Sequence, residues 1–150
     1  MSERVAVRDG LFVDAEPPRL LGSHCRRCGR HHFPRHVVCP YCASEEVEAA
    51  ELSGRGRLWA HTAVTAPPPG YRGEVPFGFG VVELTTEALR IVTRLTVADP
   101  AALDTGDPME LVVVPLHVDD EGRQVVTYAF APEGAAAAPE GGAAAPEAAT

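Results

Sequence analysis

Lysine is absent from this chain: all thirteen basic residues are arginine. Chemistry that runs through a lysine Schiff base is therefore excluded, as is a phosphate loop of the Gly-x-x-x-x-Gly-Lys type. Serine is nearly as scarce. Only Ser2, Ser23, Ser44 and Ser53 occur, and none stands in a Gly-x-Ser-x-Gly elbow. Aromatic residues are few, with a single tryptophan. No stretch approaches the roughly 20 apolar residues of a membrane helix. The opening MSERVAVRDG carries charges and no apolar run, so it does not read as a signal peptide. The chain is expected to be soluble and cytoplasmic, with no membrane partner.

Cysteine is also rare, but its few copies are concentrated. All four lie in CRRCGRHHFPRHVVCPYC, between Cys25 and Cys42, as two Cys-x-x-Cys pairs separated by ten residues. Each such pair can place two sulfurs on one side of a metal ion. Zinc prefers four ligands in a tetrahedron, with Zn–S bonds of roughly 2.3 Å. The insert is long enough to run out, reverse and return, which makes a zinc ribbon. Gly29 follows Cys28 where the knuckle must turn, and glycine takes positive φ at little cost. Pro40 stiffens the second knuckle. The alternatives are two disulfides or redox thiols; disulfides require export, and no export signal is read here. Cys25, Cys28, Cys39 and Cys42 are thus the expected ligands of a structural zinc. Four cysteines close the shell and leave no position for a reactive water. His24, His31, His32 and His36 lie near enough in sequence to replace a ligand, but the spacing does not require them.

The formal net charge is −8, yet five arginines and no acid fall between Pro17 and Cys42. A basic face on an acidic protein suits a selective anionic partner, such as a phosphate group or an acidic subunit surface. The plain alternative is a solvated ribbon whose arginines offset the thiolates.

Beyond the ribbon the chain alternates like a β protein. Strands are expected over Val47–Leu52, Arg57–Thr65, Phe77–Leu84, Arg90–Val97, Glu110–Val118 and Gln124–Phe130. Ser53-Gly54-Arg55-Gly56 reads as a turn, the proline-rich 66–76 as a stiff loop, and Ala101-Ala102-Leu103 as one short helical turn. Gly78 and Gly80 share one face of their strand, which permits close backbone approach. Pro115 marks an edge, a bulge or a strand end. Asp119-Asp120-Glu121-Gly122 is a hairpin turn. From Pro132 onward there is only Ala, Gly, Pro and Glu until Thr150, a disordered tail. The expected fold class is all-β: an N-terminal rubredoxin-like zinc ribbon, then a five-stranded OB-fold barrel, then the tail. The domains are 1–18 as an N-terminal extension, 19–52 as ribbon, 53–131 as barrel and 132–150 as tail. A small sandwich or an SH3-like barrel would give a similar string of strands.

In combination, the ribbon Cys25–Cys42 with its Phe33-Pro34-Arg35, the following Ser53–Gly56, the strand PFGFGVVEL and the closing VVTYAFAP resemble the acyl-CoA-associated zinc-ribbon/OB-fold family. The resemblance covers roughly Leu20 to Pro132. The chain departs from it in lacking the longer helical N-terminus of many relatives. What the resemblance implies is a non-catalytic accessory subunit beside a thiolase-like or lipid-transfer-protein enzyme, or beside an acyl-CoA hydratase. Sterol side-chain breakdown, other lipid metabolism and polyketide acylation are the settings it implies, with acyl-CoA as a shared ligand.

Three groups of residues are then candidates for ligand or partner contact. Arg26, Arg27, Arg30 and Arg35 can pair with coenzyme A phosphates. Trp59 and His61, separated by Ala60, are expected to share one strand face. Tyr71 and Arg72 lie in the stiff loop. Packing is the plainer role for Trp59, and structural hydrogen bonding for His61. A different class of function, a single-stranded nucleic-acid module, suits a ribbon with an OB barrel. The acidic balance and the scarcity of aromatics argue against it.

Overall fold

Residues 3–134 are described by the structure, a computed structural model. The tail expected over 132–150 lies outside them except for Pro132, Glu133 and Gly134. The strands in chain order are β1 (Arg4–Ala6), β2 (Phe12–Val13), β3 (Arg19–Cys25), β4 (His31–His32), β5 (Val47–Leu52), β6 (Arg55–Val64), β7 (Phe77–Leu84), β8 (Leu89–Leu95), β9 (Pro108–Val118) and β10 (Gln124–Pro132). One 3-10 turn, Pro100–Ala102, is the helical turn expected near Ala101. Its Asp99 side chain caps the Ala101 N–H.

The barrel closes in the order β6-β7-β8-β10-β9, with β9 returning to β6 through Arg55 opposite Glu110. Only the β8–β10 contact within that circuit is parallel. Closure removes the exposed edges that an open sheet would present. This is the five-stranded OB arrangement expected from the sequence. Alternation does the sorting on β8: Ile91, Thr93 and Leu95 are buried, while Arg90 and Val92 face outward. Beside Pro115 the β9–β10 register slips between Val125 and Val126, so the proline marks a bulge. In the hairpin turn, the Asp119 carboxylate accepts from the backbone N–H groups of Glu121 and Arg123 and from the Arg123 guanidinium. The Arg123 bonds hold that carboxyl below the usual carboxylate range.

The ribbon sheet is built on β3. Strands β2 and β4 pair with one edge of it and β5 with the other. Only Ser53 and Gly54 separate β5 from β6, so the expected turn is a two-residue joint and Arg55 and Gly56 already belong to the barrel. The joint is pinned. Ser53 donates through its backbone N–H and its hydroxyl to the Glu87 carboxylate, and the Gly54 carbonyl accepts from the Leu111 N–H. Phe12, Leu20 and Leu52 of the ribbon enter the same apolar cluster as Leu58, Val82, Ile91, Met109 and Phe130 of the barrel. The two units share one core. Burying each such side chain contributes about 1.5–3 kcal/mol.

The N-terminal stretch differs from the extension expected over 1–18. Strand β1 pairs in parallel with β10, and β2 joins the ribbon sheet. Arg4 reaches across to Asp14 at 2.9 Å. Strands of three and two residues are too short to show alternation, so pattern alone does not find them.

Gly78 and Gly80 permit the close approach expected of them. A Cβ on Gly78 would lie on the Val97 carbonyl and 3.0 Å from the Leu95 Cβ; one on Gly80 would lie on the Ala60 carbonyl. Gly78→Ala is expected to lower stability by about 1–3 kcal/mol through overpacking. A urea denaturation curve checks this, and an unchanged midpoint would contradict the close contact between β7 and the segment after β8.

Candidate metal centre and barrel cleft

The two Cys-x-x-Cys turns are near copies of each other. In the first, the Cys25 N–H donates to the Arg30 carbonyl and the Gly29 N–H donates to the Cys25 carbonyl. In the second, the Cys39 N–H donates to the Ser44 carbonyl and the Ala43 N–H to the Cys39 carbonyl. Each leading sulfur also accepts a backbone N–H: Cys28 to Cys25 Sγ and Tyr41 to Cys39 Sγ, both at 3.4 Å. Cys25 and Cys39 are buried, Cys28 and Cys42 exposed. The turns face each other and bring all four sulfurs within 4.8 Å of one another.

The spacing fits a tetrathiolate centre. A tetrahedron with 2.3 Å bonds has edges of about 3.8 Å. The Cys25–Cys42 and Cys28–Cys39 sulfurs stand 3.7 Å apart. A disulfide would draw one pair to about 2.05 Å and abandon that symmetry. The Cys28 backbone N–H helps pull the Cys25 thiol down to about 6, whereas Cys42, against the Ser44 N–H, is pushed up to about 11 by burial and by the other sulfurs. The four ribbon histidines stay out of the cluster of sulfurs. His24 Nδ1 pairs with Glu48 at 3.0 Å, and its ring lies 4.7 Å from that of His31. His32 is buried, and desolvation keeps its pKa below the ordinary value.

The other expected site residues separate into distinct regions. Arg26, Arg27 and Arg30 are exposed beside the first knuckle, and the Arg30 guanidinium lies 4.9 Å over the Tyr41 ring. Arg35 is instead tied to the fold, donating through Nε to the Gly22 carbonyl at 3.0 Å. Trp59 and His61 do not share a face. A bulge between Leu58 and Ala60 shifts the register, so His61 comes opposite buried Gly80 while Trp59 stays 49% exposed. Bulges invert the alternation that sequence reading relies on. The inner ring nitrogen of His61 is buried. Trp59 carries the Arg90 guanidinium at 4.1 Å from its ring centroid. Arg72 donates to the Val118 carbonyl and to Asp120, away from Tyr71.

Tyr71 enters a cleft of about 530 Å³ on the outer face of β7 and β8, walled by the ribbon loop at Phe33 and Pro34. Its hydroxyl donates to the Glu74 carbonyl and accepts from Arg94, and its ring lies 5.1 Å from Phe77. Arg8, Arg90, Arg94 and Phe79 also line this cleft, and sequence reading did not assign them a role. The available signal was the outward row Arg90, Val92, Arg94 beside Phe77 and Phe79.

One residue in the knuckles runs against its chemistry. Ala43, with φ of 66°, holds the position that Gly29, with φ of 82°, holds in the other turn. An L-residue pays about 1–2 kcal/mol for that conformation, offset in part when glycine brings extra unfolded-state entropy. Ala43→Gly is therefore expected to stabilise the metal-loaded chain by roughly 0.5–1 kcal/mol, and Gly29→Ala to destabilise it by a similar amount. Thermal melts of the two variants check the opposite signs; equal signs would contradict the repeat.

Comparison with known proteins adds independent support. Residues 13–48 match the family model described as the ChsH2 rubredoxin-like zinc ribbon domain, and residues 49–114 match the ChsH2 C-terminal OB-fold domain. A DUF35 domain-containing scaffold protein of Methanothermobacter thermautotrophicus is 31% identical over 113 residues, spanning 74% of this chain and 83% of the relative. The benzoylsuccinyl-CoA thiolase subunit BbsA of Thauera aromatica is 33% identical over 118 residues, covering 79% of each. Among solved structures, the Ltp2-ChsH2(DUF35) aldolase aligns with a TM-score of 0.57 at 29% identity, over 76% of this chain and 84% of that one. Ribbon, barrel and relatives agree: the chain belongs to the ChsH2-type, or DUF35, family of zinc-ribbon/OB-fold proteins.

Proposed function

We propose that this chain is a non-catalytic accessory subunit that docks on a thiolase-like or acyl-CoA hydratase partner and helps bind or orient its acyl-CoA. The carrying observation is the convergence of all four cysteines on one point. As the ligands of one structural zinc, Cys25, Cys28, Cys39 and Cys42 leave no free thiol to serve as nucleophile and no open coordination position. The internal serines have structural partners. Ser23 accepts the His36 N–H, Ser44 accepts the Glu46 N–H, and Ser53 donates to Glu87. Bond-making falls to the partner.

The names of relatives support such a role: one is a scaffold protein and another a thiolase subunit. The ribbon tip suits docking. Val37 is 84% exposed, Val38 and Tyr41 are exposed beside it, and Arg26, Arg27 and Arg30 surround the first knuckle. Apolar side chains ringed by arginine are the composition of an interface core with a charged rim. Sterol or other lipid breakdown and polyketide acylation are the settings we propose, in the cytoplasm. No helix among the described residues is long and apolar enough to cross a membrane.

Affinity purification of the full chain from its native cells, followed by acyl-CoA turnover assays, tests this reading. A thiolase-like or hydratase protein is expected to stay bound in fixed stoichiometry, and its turnover to rise when the chain is added back. A chain that elutes alone at low salt, or that turns over acyl-CoA unaided, would overturn it.

A further inference from the structure

The cleft on the barrel combines two features that a nucleotide can use. The first is a cluster of aromatic rings of which one, Phe79, is exposed. Phe79 is 39% exposed, and it stands edge-on to Phe77 with ring centroids 6.5 Å apart. Tyr71 packs behind Phe77, and Tyr128 closes the far wall against Phe33 at 5.5 Å. The second feature is positive charge without acid. Arg8, Arg90 and Arg94 line the cleft and no carboxylate residue does, on a chain with a formal net charge of −8.

Arg94 is the best placed of the three. Its guanidinium lies 4.5 Å over the Phe77 ring and donates one bond, to the Tyr71 hydroxyl at 3.0 Å. The stack and that bond fix the side chain, and the remaining donors have no carboxylate partner among the described residues. A pre-oriented guanidinium with free donors suits a phosphate. Its cross-strand partner is Phe79. One ring face and one phosphate donor therefore sit side by side, at cross-strand spacing of about 5 Å. Arg90 at the other end is shared between the Trp59 ring and Glu83, whose nearest carboxylate oxygen is 4.0 Å away.

Taking acyl-CoA as the ligand proposed above, we infer that this cleft receives the phosphorylated adenosine end of the molecule. Adenine stacks on Phe79, and a phosphate pairs with Arg94. The pantetheine and acyl chain extend outward to the partner, where the chemistry occurs. The volume, about 530 Å³, lies within the range of small-ligand sites. The exposed arginines of the ribbon tip then serve docking, and the cleft serves the nucleotide. A ring beside a guanidinium is also what a single-stranded nucleic acid would use. The acidic balance of the chain and the small number of rings in the cleft favour one nucleotide over a strand.

Trp59 is the only tryptophan and stands at the edge of this face, so its fluorescence reports occupancy. The full chain, zinc-loaded, is titrated with coenzyme A, with adenosine 3′,5′-bisphosphate and with pantetheine, and calorimetry runs in parallel. Coenzyme A and the bisphosphate are expected to bind and compete with each other, and pantetheine alone to bind at least tenfold more weakly. Arg94→Ala and Phe79→Ala are each expected to weaken the bisphosphate about tenfold or more, with the melting temperature of the Arg94→Ala protein showing that it remains folded. Arg27→Ala is expected to leave that affinity unchanged. Several results would overturn the assignment. One is coenzyme A affinity lost in Arg27→Ala but kept in Arg94→Ala, which would leave acyl-CoA binding intact but move it to the ribbon. Another is a single-stranded oligonucleotide binding with steep salt dependence while the bisphosphate does not bind. A third is no heat and no fluorescence change with any nucleotide.

Discussion

Four cysteine sulfurs drawn to one point are the constraint on which the rest of this molecule depends. The loops between β3 and β5 contain little that would hold them otherwise. Strand β4 is two residues long, and Val37, Val38 and Tyr41 face outward rather than into a core. Structural zinc supplies about 10–16 kcal/mol in zinc-finger peptides. Once the two knuckles are clasped, β3 is fixed at its Cys25 end and β5 pairs along it. Strand β5 then leads through a two-residue joint into the first barrel strand, and the ribbon side chains Leu20 and Leu52 complete the core of the barrel. The pinned joint and the shared core set the attitude of one unit to the other, and with it the wall that Phe33 and Pro34 raise beside the cleft.

Much of this was legible in the chain because each signal was local. The cysteine spacing specifies a pair of knuckles, and strands such as Val47–Leu52 and Phe77–Leu84 agree with the structure at both ends. Alternation on Arg90–Leu95 separated inside from outside correctly. The misreadings have equally physical causes. The bulge at Trp59 reverses the faces of the residues after it, and a bulge leaves no mark in composition. Ala43 adopts a glycine conformation without being glycine, so the repeat of the first knuckle is visible only in its hydrogen bonds. Strand β1 depends on a distant partner, β10, and β2, paired with nearby β3, is only two residues long and shows no pattern of its own. The cleft was least legible, since it gathers residues as far apart in the chain as Arg8, Phe33, Phe79 and Tyr128.

The distribution of charge and exposed apolar surface follows the same division. The ribbon tip offers aliphatic and aromatic side chains among arginines that form no ion pair within the described residues, while Arg55, Arg123 and Arg4 elsewhere are held in ion pairs with Glu133, Asp119 and Asp14. Arginine that is already paired stabilises the fold only modestly at a surface. Arginine left unpaired beside rings is available to a partner or a phosphate.

Metal and thiol content, measured together on the same freshly purified sample, tests the central claim most directly. Elemental analysis is predicted to find one zinc per chain. Thiol titration of the native protein is predicted to find the four cysteines protected, becoming reactive in step with zinc release by a chelator. Zinc well below one per chain, with the sulfurs paired as disulfides or freely reactive in a protein that is still folded, would contradict it.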